Sequence, residues 1–185
     1  MSFVVFGYFA FLFGGILIYY LLPKKHSWIW LLFLSYFYYF TFNKRTAIYM
    51  VSTTLFIYVG GLVLDKVITK GNTYLKENKE TLSKEEKKAF KEKLKKHKRL
   101  VLAAILLLCF GQLAVVKYSD FAIENVNSLI RLFGGDKQFS VLKIALPLGI
   151  SFFTFQSASY IIDIYQEKYK CQRNPFKLGL FVSFF

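Results

Sequence analysis

The residues best placed to do chemistry in this chain lie on the stretch 146–163, Leu146-Pro147-Leu148-Gly149-Ile150-Ser151-Phe152-Phe153-Thr154-Phe155-Gln156-Ser157-Ala158-Ser159-Tyr160-Ile161-Ile162-Asp163. At about 100° per residue, Gly149, Gln156, Ser159 and Asp163 share one helical face, with Tyr160 beside it. The rest of the stretch is mostly apolar. Hydrocarbon cannot hydrogen-bond a polar stripe, so the stripe must face other helices or a water-filled cavity. Either the amide and hydroxyls hold helices together or they line a reaction cavity. Ser151, Gln156, Ser159 and Asp163 are the candidates for cavity wall. Pro147 removes a backbone donor near the start, and Gly149 permits close approach of another helix.

A convincing active site to go with that stripe is not found among these residues. The two histidines sit among cations, His26 after Lys24-Lys25 and His97 within Lys95-Lys96-His97-Lys98-Arg99. Neither has a carboxylate, thiol or second imidazole at ligand spacing. Both read as exposed loop residues. There is no Gly-x-Ser-x-Gly elbow and no phosphate loop. The residues therefore assign no catalytic group and no metal site. Cys109, inside an apolar run, reads as a small buried hydrophobe, and Cys171 lies in a polar loop, so no disulfide framework is expected.

The elements that position the stripe follow from composition. Hydrophobic residues make up 55% of the 185, whereas charged residues make up 19% and cluster in one block. That pattern predicts an all-α polytopic transmembrane protein. Five complete hydrophobic segments are expected, at about 3–22, 28–42, 46–64, 100–116 and 144–162. A sixth begins near Leu178 and stops after about 12 Å of rise, short of a hydrocarbon core of about 30 Å. The chain is thus expected to be the front part of a longer protein. It divides into three N-terminal spans (1–64), a basic loop (65–99) and a region of further spans (100–185).

The first run has no basic residues before it and no small-residue cleavage site, so it reads as a retained span. The second is short enough to be re-entrant or interfacial, and its Trp28, Trp30, Tyr36, Tyr38 and Tyr39 suit an aromatic belt. If all five segments span, the positive-inside rule places the N-terminus outside and 65–99 in the cytoplasm.

A formal net charge of +14 raises the question of nucleic acid. The excess lies between apolar spans, so the positive-inside rule explains it better and no nucleic-acid partner is expected. Loop 65–99 carries thirteen Lys or Arg against six Asp or Glu. Ser83 and Glu86 form a capping-box signature, and Phe90, Leu94 and Val101 recur at helical spacing. This predicts a basic amphipathic helix resting on anionic lipid, with a partner-docking site as the alternative. Apolar residues at 126, 129, 130 and 133 predict a separate short helix along the membrane surface, ended by Gly134-Gly135-Asp136.

The motif at 146–156, followed by Ser159-Tyr160-Ile161-Ile162-Asp163-Ile164-Tyr165, closely resembles the membrane-bound O-acyltransferase (MBOAT) family, in its alginate O-acetyltransferase-like branch. Upstream, Lys117-Tyr118-Ser119-Asp120-Phe121 and Asn125-Val126-Asn127-Ser128-Leu129 look like the stretch that precedes this motif there. Downstream, Arg173-Asn174 and Phe181-Val182-Ser183-Phe184-Phe185 match the approach to the family's next block. The resemblance implies a truncated part of a helical channel fold in the cell membrane that transfers an acyl group, commonly acetyl, to hydroxyls of an envelope polysaccharide. It implies an acyl donor as substrate with no bound cofactor. The implied partners are the lipid bilayer, a polysaccharide acceptor and other envelope-modification proteins. The family's catalytic histidine lies in a later span, and no residue here matches it, so the chain alone is expected to be inactive. An inactive membrane scaffold and a transporter-like protein are the competing readings.

Overall fold

The computed structural model describes residues 2–42, 44–134, 139–140 and 149–184, the side chains of 2–6, 8, 42 and 44–46 excepted. They form α1 (Ser2–Leu21), α2 (Ser27–Phe42), α3 (Lys44–Glu77), α4 (Lys84–Leu132), α5 (Ile150–Tyr165) and α6 (Pro175–Ser183), with no strand among the described residues. The all-α class is as expected. The Leu146-Pro147-Leu148 part of the motif, and Gly135-Asp136, lie outside the described residues.

The helices fall into two compact units, Met1–Thr54 with Gln172–Phe185, and Leu55–Cys171. In the first, α1 turns into α2 through Pro23, whose carbonyl accepts from the His26 amide at 2.9 Å and the Ser27 hydroxyl at 3.2 Å. The Trp30 indole N–H donates to the Gly15 carbonyl at 3.0 Å, which ties the two helices part-way along their length. α6 starts at Asn174, whose side-chain oxygen accepts from the amides of Phe176 (2.9 Å) and Lys177 (3.3 Å), with Pro175 at the first helical position. Both features are favoured helix starts. Gly179 lets α6 lie close to Leu32 and the Tyr36 hydroxyl of α2.

The second unit rests on two adjacent glycines in α3. A Cβ on Gly60 would stand 2.8 Å from Cγ1 of Ile105 on α4, and one on Gly61 3.2 Å from Sγ of Cys171 and 3.4 Å from Cδ1 of Ile164 on α5. One glycine serves each neighbour, so α3 sits close to both. Cys171 is consequently buried, where the sequence had suggested a polar loop, and Cys109 is buried as expected. The Phe110 and Phe155 rings meet edge-on at 5.6 Å between α4 and α5.

Region 65–99 is a helical hairpin. α3 continues to Glu77, and α4 begins at Lys84 under a complete capping box. The Glu86 amide donates to Ser83 Oγ at 3.2 Å and the Ser83 amide to the Glu86 carboxylate at 2.8 Å, which holds that carboxyl below its ordinary range. The apolar residues of this amphipathic helix pack on α3. Phe90 stacks on Tyr74 at 4.6 Å, and Leu94 sits over Gly71. His97 accordingly lies exposed on a helix and not in a loop, while His26 is exposed in a turn.

The separate surface helix expected after residue 117 is absent as such, because α4 runs unbroken for 49 residues to Leu132. The apolar spacing at 126–133 belongs to its last turns. They end at Phe133 and at Gly134, with φ +76°. Asn127 holds the following chain with both ends of its amide. It donates to the Phe139 carbonyl at 2.8 Å and accepts from the Phe139 amide at 2.7 Å, while buried itself. Asn127→Ala should cost about 2 kcal/mol for two bonds lost at a buried site. Hydrogen exchange checks this: the Phe139 amide should speed up several-fold while α4 amides around Ile105 stay protected.

Two helices are long and apolar enough to cross a membrane, 47–77 within α3 and all of α4. Of the other expected spans, α1 has 20 residues, whereas α2 and α5 have 16 each, about 24 Å of rise, so five complete spans are not established. In α4 only 11% of the most apolar stretch is buried, against 50% in α3. A core helix of a water-soluble protein would be covered. Leu107 and Val115 are instead open, as on a lipid-facing helix.

Candidate functional site

α5 starts on Gly149 in the left-handed conformation (φ +76°) with no side-chain cap. Ile150, Phe153, Thr154, Ser157, Ala158, Ile161 and Ile164 are buried, a helical series on one side. Its two hydroxyls turn back on the helix. Thr154 donates to the Ile150 carbonyl and Ser157 to the Phe153 carbonyl, each at 2.7 Å. That satisfies them without a partner helix and removes them from chemistry.

The polar stripe read from the sequence lies on the other side. Ser159 is exposed, and Ser151, Gln156 and Asp163 are half-buried. Phe152 and Phe155, 68% and 60% exposed, flank them. The Gln156 side-chain oxygen is sealed from solvent. Asp163 accepts from Lys168 Nζ at 3.2 Å across the helix end, with its carboxylate 32% exposed. The four candidates thus share the unpacked side of α5 and are not gathered around a single point. The arrangement can present an amide, hydroxyls and a paired carboxylate to a neighbour. No group of three or more metal-ligating side chains occurs among the described residues.

The end of α5 contains a feature the sequence did not reveal. The Glu167 amide donates to the Ile164 carbonyl at 2.9 Å and the Lys168 amide to the Asp163 carbonyl at 3.1 Å. This is a Schellman closure, which places a left-handed residue just past the helix, usually glycine. Here the residue is Glu167, at φ +60°. A side chain in that conformation costs about 1 kcal/mol or more. The carboxylate offsets it by accepting from Asn72 Nδ2 on α3 at 3.0 Å and from Lys98 Nζ on α4. Lys98 is 13% exposed and also lies 5.4 Å from the Tyr165 ring centroid. The Lys98 hydrogen bond, with lesser help from Asn72, holds the Glu167 carboxyl below the usual carboxylate range. Three helices are tied at one polar node beside the striped helix.

The chain is thus all-helical in its described residues, with two helices long and apolar enough to cross a membrane and a fifth helix that carries a polar stripe on its unpacked side. Its curated relatives are O-acetyltransferases. The chain is 40% identical over 86 residues to the "Probable alginate O-acetylase AlgI" of Azotobacter vinelandii, covering 46% of this chain and 17% of the relative. It is 38% identical over 86 residues to the protein of that name from Pseudomonas aeruginosa, and 29% identical over 168 residues, 86% of this chain, to the peptidoglycan O-acetyltransferase of Helicobacter pylori. The resemblance to the MBOAT family stands on these relatives, and the match spans about a sixth of the alginate O-acetylases' length. No family model matches the chain, and no solved structure does.

Proposed function

We propose that the chain forms scaffold and cavity wall of a membrane O-acyltransferase that moves an acyl group, acetyl foremost, onto hydroxyls of a cell-envelope polysaccharide. The observation that carries this reading is the 86-residue match at 40% identity to an alginate O-acetylase. In this reading the protein sits in the cell membrane with its N-terminus outside and the 65–99 hairpin in the cytoplasm, as charge placement favours. The five apolar segments and α6 all lie at membrane depth in this reading. Its partners are the bilayer, the polysaccharide acceptor and other envelope-modification proteins.

A hydroxyl is a weak nucleophile until a base takes its proton, and imidazole has a suitable pKa near neutrality. His26 and His97 are exposed outside the apolar segments, so neither is placed for that step. The role assigned to Ser151, Gln156, Ser159 and Asp163 is positioning: a polar wall that orients donor and acceptor where lipid would otherwise exclude them.

The test is loss of the coding gene, which should remove base-labile acetate from the envelope polysaccharide, with restoration on complementation. Gln156→Leu at equal membrane abundance should lower that acetate about tenfold. Ser157→Ala, on the packed side with its hydroxyl turned inward, should leave it within about twofold. Unchanged acetate in the Gln156 variant would remove the cavity-wall role.

A further inference from the structure

Once α3 has covered the apolar side of α4, a strip of lysines is left over. Lys84, Lys88, Lys91 and Lys95 fall within about 60° of arc at 100° per residue. None of the four makes an ion pair among the described residues, where Lys98 and Lys168 are the paired lysines. Lys87 beside them donates to the Lys79 carbonyl and so stiffens the turn that joins the hairpin. The strip begins one residue after the N-cap Ser83, inside the capping box, on a helix long and apolar enough to cross a membrane. Its direction is therefore fixed by the span.

We propose that this strip docks a soluble protein that presents carboxylates along a helix at the matching spacing. Contact with the membrane surface is the obvious alternative for so basic a segment, and two observations weigh against it. The apolar residues that would insert into lipid, Phe90 and Leu94, are occupied by Tyr74 and Gly71 of α3. The apolar part of α4 begins at Leu100, so Lys91 stands about 13 Å and Lys84 about 24 Å further along the axis. The screening length at physiological salt is about 8 Å. By that measure Lys84, Lys88 and Lys91 are beyond the reach of lipid headgroups, although Lys95, Lys98 and Arg99 are not.

The chemistry also narrows the class of partner. No exposed aromatic side chain is interleaved in the strip to stack a base, since Phe90 is stacked on Tyr74. The four ammonium groups cover about 17 Å of helix, too long for one small anion and suited to a row of carboxylates. Placement in the cytoplasm rests on the orientation proposed above. The strip itself does not depend on acyl transfer.

The experiment uses the full chain in nanodiscs of neutral phosphatidylcholine, open on both faces, so orientation and catalytic activity do not enter. A fluorescent helical peptide with glutamates at i, i+4, i+7 and i+11 is titrated beside a scrambled isomer of equal charge. The ordered peptide should bind about tenfold tighter. Combined Lys84→Gln, Lys88→Gln, Lys91→Gln and Lys95→Gln should abolish that difference, whereas Lys93→Gln with Lys96→Gln should keep it. Equal binding of the two peptides, or equal loss in both variants, overturns the proposal. So does a fluorophore at position 88 found within a few ångström of the headgroup plane in discs containing phosphatidylglycerol, which would place the strip on the membrane.

Discussion

Gly60→Leu is expected to destabilise the Leu55–Cys171 unit by about 3 kcal/mol, the upper range for forcing extra methylenes into a packed core. The added Cβ alone would come within 2.8, 2.9 and 3.1 Å of three carbons of Ile105. Ile105 is branched at Cβ, so it has few rotamers with which to yield. α4 must then move away from α3, and the stack of Phe90 on Tyr74 loosens with it. Gly60→Ala should cost about 1 kcal/mol, since relief of helical glycine entropy offsets part of the clash. Gly111 provides the control. A Cβ there meets nothing within 4 Å, so Gly111→Ala should be neutral or stabilise slightly. Thermal unfolding in nanodiscs, followed by tryptophan fluorescence and circular dichroism, should rank Gly111→Ala above wild type or equal to it, with Gly60→Ala lower and Gly60→Leu lowest. Equal unfolding temperatures for Gly60→Leu and wild type would show that α3 and α4 do not pack through this glycine.

Glu167→Ala should cost about 1–2 kcal/mol. It removes the partner of Lys98, a lysine only 13% exposed, but the Glu167 carboxylate is 44% exposed and its pairing is partly screened by water. Glu167→Gly separates the two opposed effects at this position. It loses the same pair yet relieves the left-handed backbone at φ +60°, and should be about 1 kcal/mol more stable than the alanine variant. The pair also sets a pH dependence. The folded carboxyl titrates below its ordinary value of 4.5, so folding favours the ionised form. The node's contribution is complete above about pH 4.5 and is lost as pH falls through the lower folded value. In Glu167→Ala that part of the acid sensitivity should vanish. Identical acid unfolding curves for wild type and variant would show that the node contributes nothing.

Much of this was legible in the residues themselves. The capping box at Ser83 and Glu86 could be read because both partners lie within one helical turn. The helices could be read because apolar runs recur at helical spacing. The motif around Gly149 to Asp163 carries the O-acyltransferase resemblance in its residues alone. The polar stripe on α5 was a correct reading of angle, yet it did not say which side of the helix packs. Burial chose the opposite face, where Thr154 and Ser157 satisfy their hydroxyls on their own helix.

Other features depended on residues far apart in the chain. Gly60-Gly61 is visible as a pair, but nothing local says that one faces α4 and the other α5. An amphipathic segment with lysines on one side does not say what its apolar side meets, and the contact of Phe90 with Tyr74 shows that it packs in a hairpin. Glu167 has no local signature for a left-handed helix end, where glycine would be expected. Its conformation is fixed by Lys98 and Asn72, 69 and 95 positions away. The helical, apolar character of this chain is written in its residues, because hydropathy and capping act over a few positions, and the motif on α5 carries the likeness to O-acetyltransferases. Which faces pack, where the lysine strip stands and what holds the end of α5 are settled on folding, because those outcomes need partners far apart in the chain.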